Sequence, residues 1–164
     1  GVAAAAVYVA CRSFDSPFTL KDIAEAHGFS EKKEIGKIYR MIIRSLNIKI
    51  APQTPFDYIP KICSNLKLSQ KTQTDAITIL MDSEKHQFFS GRSPMSVVSS
   101  AVYISTLING EKRTQQLIAK ASGITEVTLR NRYKELINLL NLSPKHIKKM
   151  RYTGKYNNTG DDNQ

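Results

Sequence analysis

Apolar residues return every three or four positions through most of the chain, and no alternating apolar-polar run suggests a strand. Gly and Pro are rare inside the long segments, so the expected fold is all-α. Residues 1–13 form a small-residue helix, with Ala3, Ala4, Ala5 and Ala6 letting neighbouring helices approach closely, which suits a central, buried position. Thr19 can cap the next helix, Asp22 sits at the capping-box position and Gly28 stops it. Ser30 should cap a longer helix whose apolar stripe is Ile35, Ile38, Tyr39, Ile42, Ile43 and Leu46. Pro52, Pro55 and Pro60 then interrupt the pattern and mark an extended linker. Beyond it, helices are expected over 56–66 and 69–86. A third begins at the Ser93 cap with Pro94 in its first position, a fourth follows Arg113-Thr114, and Thr125 caps a fifth.

The pattern occurs twice. Ala5, Val7, Tyr8 and Val9 and the run from Thr19 to Ser30 reappear 95 residues later as Ser100, Val102, Tyr103 and Ile104 and the run from Thr114 to Thr125. The offset then becomes 94, because Ile35 and Tyr39 match Leu129 and Tyr133, so the first copy carries one extra residue after its Gly. A period of this length suits a small duplicated domain and is too long for a solenoid repeat. The expected organisation is the C-terminal part of a first repeat at 1–46, a linker at 47–55, a complete five-helix second repeat at 56–142, and a basic, then polar, flexible tail at 143–164. On this reading about forty residues should precede Gly1, and Val2, Val7, Val9, Ile35 and Ile42 lose the cover of two missing helices.

Charge narrows the partner. Twenty-four Lys and Arg against fourteen Asp and Glu give a formal net charge of +10, which points to a polyanion such as nucleic acid; the alternative is an ordinary basic, solvated surface. Nothing approaches an 18-residue apolar run and no basic-plus-apolar leader is seen, so the expectation is an intracellular protein with no membrane partner. Cys11 and Cys63 stand alone within apolar helical stretches and read as reduced core residues. His27, His86 and His146 are scattered, and no Ser-His-Asp set, carboxylate pair or Gly-rich phosphate loop can be assembled, so no enzymatic activity is expected.

The segment from Thr114 to Tyr133 has helix-turn-helix spacing, with small Ala119 at the crossing, Gly123 in the turn and Leu129 pinning the second helix. In such motifs the outward first turn of the second helix reads base edges in the major groove. Here it presents Thr125, Glu126, Val127, Thr128 and Arg130. Arg can bond bidentately to guanine, and Val or a Thr methyl can pack on a thymine methyl. Val127 and Arg130 are therefore the first candidates for base contacts, with Thr125 and Thr128 beside them. The bland alternative is a plain helical hairpin with Arg130 in a surface ion pair to Glu126. Arg92, Arg113 and Arg132 are candidates for DNA phosphate; Arg92 adjoins the helix start at Ser93-Pro94, which can equally be a simple capped terminus. In the first copy Lys32, Lys33 and Lys37, flanked by Arg40 and Arg44, make a basic patch that fits phosphates or an acidic protein surface.

At these residues the chain resembles a known family. Gly91-Arg92-Ser93-Pro94, Ala101-Val102-Tyr103-Ile104, Glu111-Lys112-Arg113-Thr114-Gln115 and the run from Thr125 to Leu136 are similar to the second cyclin-like repeat of the transcription factor IIB family. Val7-Tyr8-Val9-Ala10-Cys11-Arg12 and Lys32-Lys33-Glu34-Ile35-Gly36 are similar to the end of its first repeat. The run from Thr125 to Leu136 favours the archaeal branch, transcription factor B, over the eukaryotic one. The resemblance implies two tandem cyclin-like repeats, the first truncated here, that clamp the TATA-box-binding protein on bent promoter DNA. The second-repeat helix-turn-helix would enter the major groove at the upstream recognition element, with Val127 and Arg130 at the base-reading positions. Recruitment of RNA polymerase belongs to the intact protein, through a zinc ribbon that this sequence does not contain; no cofactor is expected in the chain itself. The implied location is the archaeal cytoplasm, or the nucleus for a eukaryotic source. The competing reading is a cyclin-like regulatory subunit that grips a protein partner without touching DNA.

Overall fold

The computed structural model describes residues 1–28, 32–142 and 147. Among the described residues all regular structure is helical, and the chain divides into two compact units, Gly1–Gln53 and Thr54–Gln164. No described helix is long and apolar enough to cross a membrane.

The first unit holds α1 (Val2–Ser13), α2 (Leu20–Ala26) and α3 (Lys32–Ser45). Ala4 and Ala5 are wholly buried, and their small side chains let α1 lie close against α2 and α3. Thr19 caps α2 reciprocally: its hydroxyl accepts from the Asp22 N–H at 3.2 Å, and the Asp22 carboxylate accepts from the Thr19 N–H at 2.6 Å. Ser30, the expected cap of α3, lies outside the described residues. The expected uncovered face is only partly there. Val2 and Val7 are exposed, but Ile35 is fully buried, Val9 nearly so and Ile42 half-buried, because α1, α2 and α3 close a small core of their own around Ile23, Ala24 and Ile35. The segment after α3 returns to the unit: the Arg12 guanidinium donates to the Ala51 carbonyl, and the Gln53 side-chain amide donates to the Ser16 carbonyl at 3.2 Å.

In the second unit the expected helix over 56–66 is divided. Residues Pro55–Tyr58 form a 3-10 turn, and α4 (Ile59–Asn65) begins only there. Pro60 explains the break, since its ring clashes with the carbonyl four residues back and it has no N–H to donate, so it is tolerated only in a helix's first turn. Next come α5 (Gln70–Lys85), α6 (Pro94–Asn109), α7 (Gln115–Ser122) and α8 (Glu126–Leu139). Ser69, Ser93, Thr114 and Thr125 cap them with their hydroxyls, Ser93 and Thr125 as the sequence pattern anticipates.

Helix α6 is the axis of this unit, burying eleven of its sixteen residues against α4, α5, α7 and α8. Its buried hydroxyls need partners, and each bonds three residues back along its own helix: Ser99 to Ser96, Ser100 to Val97, Ser105 to Val102 and Thr106 to Tyr103, at 2.7–3.1 Å. Ile62, Ile79, Leu80, Ile118, Leu129 and Leu136 fill the space around it. Cys63 is among these buried residues, and burial, with Glu111 nearby, pushes its thiol up to about 11. Cys11, expected in a core, is only partly buried, because α1 has less packed over it.

After α6 the loop at 110–113 is fastened to the turn between α4 and α5. Glu111 accepts from the Ser69 N–H at 3.0 Å and from the hydroxyls of Ser69 and Thr72. Arg113 donates from Nε to the Leu66 carbonyl at 3.0 Å and from Nη2 to the Lys67 carbonyl at 3.2 Å, closing the end of α4. Burial alone would raise the Glu111 pKa, but the three hydrogen bonds and Arg113 outweigh it and hold the carboxyl below its usual value.

The duplication is visible as geometry. Helices α1, α2 and α3 are the counterparts of α6, α7 and α8: Tyr8 and Tyr39 pack at 4.9 Å and 58°, and Tyr103 and Tyr133 at 4.7 Å and 58°. Gly28 and Gly123 both take the left-handed conformation, with φ of 66° and 65°.

Two tests follow from this packing. A Cβ in the left-handed region costs about 1–2 kcal/mol, so Gly123→Ala should lower the stability of the second unit by that amount, read by thermal denaturation; an unchanged midpoint would show that the turn relaxes freely. Because the folded Glu111 is more acidic than in an unfolded chain, its stabilisation is present above pH ~4.3 and is lost as pH falls through the lower folded pKa. Glu111→Gln should therefore speed amide exchange in α5 and α6 at pH 7, by the equivalent of about 1–3 kcal/mol for the charge-assisted bonds it removes, and flatten the acid dependence below pH 4.

Candidate nucleic-acid interface

Helices α7 and α8 are joined by a three-residue turn through Gly123, Ile124 and Thr125. The Gly123 N–H reaches the Lys120 carbonyl at 3.1 Å and the Ile124 N–H the Ala119 carbonyl at 3.0 Å, so the left-handed glycine ends α7 with its last carbonyls satisfied. Ala119 is buried where the helices meet, and Leu129 and Leu136 hold the inner face of α8 against the core. The opposite face is thereby turned to solvent. Val127 is 61% exposed and the Arg130 side chain 49%.

Of the four candidate base-reading residues, Thr125 is the cap of α8 and Val127, Thr128 and Arg130 sit on its first turn and a half. The Thr125 hydroxyl caps the helix by accepting from the Thr128 N–H at 3.2 Å, and the two threonine hydroxyls share a bond of 2.8 Å. Their polar atoms are occupied with one another, which leaves Val127 and Arg130 as the exposed apolar and cationic groups of the turn. Arg130 has two neighbours in the fold: its Nε donates to Gln115 Oε1 at 3.3 Å, and its Nη2 lies 3.9 Å from the Glu126 carboxylate. An exposed pair at that distance contributes at most about 1 kcal/mol, so Arg130 can exchange it for a ligand at little cost.

The three arginines considered for phosphate contact all have partners within the second unit. Arg92 donates from Nη1 to the Phe88 carbonyl at 2.9 Å and the Ser90 carbonyl at 3.2 Å, pairs through Nη2 with Glu135 at 2.6 Å, and lies 4.6 Å over the Phe88 ring. Arg132 pairs with the same Glu135. The Arg92 bond holds the Glu135 carboxyl below its usual value; burial opposes this and Arg132 adds to it. Arg92 thus ties the segment before α6 to α8, and Arg113 closes α4 as described, roles that local spacing does not reveal because the partners lie 43 and 47 residues away.

The patch on α3 belongs to the first unit. Lys32, Lys33 and Lys37 are exposed, as are Arg40 and Arg44, and among the described residues none of the five forms an ion pair. Residues 33, 37, 40 and 44 recur at helical spacing on one face, giving a row of four cations about 16 Å long at 1.5 Å per residue. Among the described residues no group of three or more His, Cys, Asp or Glu is placed to hold a metal ion.

Residues 48–139 match the family model described as the transcription factor TFIIB repeat. The chain is 48% identical over 142 residues to the transcription initiation factor IIB of Methanosphaerula palustris and to that of Methanoculleus marisnigri, and 46% identical to that of Methanosarcina mazei. Each match covers 87% of this chain and 42% of the relative, so the chain spans less than half the length of these proteins. The chain belongs to the transcription factor TFIIB family.

Proposed function

We propose that this chain is the promoter-binding part of a general transcription initiation factor: a non-catalytic adaptor that docks on a DNA-bound TATA-box-binding protein and reads the upstream element with α7 and α8 as a helix-turn-helix. The observation that carries the reading is the exposed Val127–Arg130 pair on the outward first turns of α8, an apolar group and a weakly held guanidinium side by side. Arg130 would bond to guanine and Val127 would pack on a thymine methyl, with Thr125 and Thr128 setting the turn. The relatives' name supports a role in initiation. Recruitment of RNA polymerase is assigned to the longer protein, and the location to the cell interior where promoter DNA lies, the cytoplasm of an archaeon.

Positioning is a separate task. The row on α3, with Lys32 beside it, suits phosphates, whose regular spacing along a strand matches a linear array of cations and carries no sequence information. Arg92, Arg113 and Arg132 remain proposals for phosphate contact, and each would have to share its guanidinium with the partners it has in the fold.

Arg130→Ala should weaken binding with TATA-box-binding protein by ~1–3 kcal/mol on DNA carrying the matching element, and far less on a scrambled one, in gel-shift titrations. Equal loss on both DNAs would make Arg130 a phosphate contact, and no DNA binding by the wild-type chain would favour a cyclin-like subunit that grips protein alone. Replacing Lys33, Lys37 and Arg40 by Ala should weaken binding alike on every sequence. It should also flatten the plot of log affinity against log salt by about 0.9 for each phosphate that the variant no longer neutralises. A changed sequence preference would instead require the first unit to read bases.

A further inference from the structure

We propose that Gln115 is a positioning residue for base reading: it holds the Arg130 side chain by its Nε–H, so that the two terminal nitrogens stand ready as a fork. The inference rests on the reading of Arg130 as a base contact. Gln115 is the first residue of α7, next to the Thr114 cap, and its side chain meets three others. Its Nε2 donates to the Tyr103 hydroxyl at 3.2 Å and lies 3.4 Å from that of Tyr133, while its Oε1 accepts from Arg130 Nε at 3.3 Å. Only one orientation of the amide serves all three. A guanidinium has donors and no acceptor, so it must face the oxygen, which turns the nitrogen toward the two phenols.

The duplicated unit shows that this arrangement is an addition to the frame and not part of it. Tyr8 and Tyr39 pack there with nearly the same separation and tilt as Tyr103 and Tyr133. Yet Leu20 occupies the place of Gln115, and Gly36 that of Arg130. A Cβ on Gly36 would stand 3.4 Å from Leu20 Cδ2, so the space is closed by an apolar side chain where no arginine has to be held. The frame stands without the amide; the amide accompanies the arginine. Three partly exposed bonds of 3.2–3.4 Å add little stability. Their effect is on Arg130's freedom, because immobilising a rotamer-rich side chain at an interface costs about 0.5–1.5 kcal/mol, a factor of roughly two to ten in affinity, when it is not already held.

The test uses the full chain with TATA-box-binding protein on a duplex whose upstream element has been selected by this chain from a randomised pool. The element is then compared with the same duplex carrying 7-deazaguanine, which lacks the N7 acceptor. Arg130→Ala should abolish the preference for guanine. Gln115→Leu, which copies the first unit, should reduce that preference by about two- to tenfold with an unchanged melting temperature, and should add nothing in the presence of Arg130→Ala. Gln115→Glu, which keeps an acceptor for Nε, should restore the preference even though its charge lowers affinity for every sequence. In the free chain, Nε–H exchange of Arg130 followed by ¹⁵N NMR should speed up in Gln115→Leu and slow again in Gln115→Glu. If Arg130→Ala removes the preference but Gln115→Leu leaves both preference and exchange unaltered, the positioning role is wrong and the reading of Arg130 stands. If Arg130→Ala leaves the preference intact, or the wild-type chain selects no element, the reading itself fails and the role of Gln115 falls with it.

Discussion

The second unit depends on the burial of α6. A helix surrounded on most sides must offer small or apolar side chains over most of its surface, and α6 meets this with Val, Ile, Ala, Ser and Thr at its buried positions. Hydroxyls in such a place would be costly if orphaned; bonding three residues back makes these four self-contained, so none of them needs a polar partner from another helix. Everything at the proposed interface is referred to this axis. Leu129 and Leu136 of α8 lie in the same core and Tyr133 packs on Tyr103, so the direction in which Val127 and Arg130 face is set by which residues of α8 must be inside.

The two units use one frame for different surfaces. The small residue at the crossing (Ala24, Ala119), the left-handed glycine (Gly28, Gly123), the inward apolar residue (Ile35, Leu129) and the tyrosine pair recur with matching burial and geometry. What differs is what faces outward. Lys33 stands where Val127 does, and Gly36 where Arg130 does, which makes one surface a row of charge and the other a mixed apolar and hydrogen-bonding tip. Burial differs on the inner side as well. Val102 is fully buried by the helices around α6, whereas its counterpart Val7 is 42% exposed, since no helix among the described residues of Gly1–Gln53 corresponds to α4 or α5.

Much of this is legible in the sequence because it is local. A cap needs its hydroxyl within three residues of the N–H it serves, and a left-handed glycine or a helical stripe is defined by its own neighbours, so spacing alone places Thr19, Ser93 and Thr125. Pro60 is legible too, but its effect reaches further than a linker boundary: a proline in the middle of 56–66 forces the start of α4 to Ile59. What spacing misses is long-range. Arg92 looks like a free cation beside a helix start until Glu135 is brought to it, and Gln115 looks like an ordinary first-turn residue until Tyr103, Tyr133 and Arg130 converge on it. One signal for Gln115 does exist, in the repeat alignment, where a polar residue replaces Leu20 at the same step that an arginine replaces Gly36. The cover over Ile35 is also beyond spacing, because the Tyr8–Tyr39 pair and α2 close that end of the unit without help from counterparts of α4 and α5.

Magnitudes decide what α8 can do under the proposed function. One bidentate arginine is worth about 1–3 kcal/mol of discrimination, and a valine on a thymine methyl adds less. Specific DNA-binding proteins separate their sites from bulk DNA by about 4–10 kcal/mol, so a tip this small cannot locate a promoter alone. It can choose between two orientations or two flanking sequences once something else holds the complex on DNA. That division favours few, preorganised contacts at the tip, since a wasted kilocalorie there is a large share of the total. It favours many interchangeable contacts elsewhere, and the exposed row on α3 has that character. The difference between the two duplicated surfaces is then the difference between a term that sets preference and a term that sets affinity.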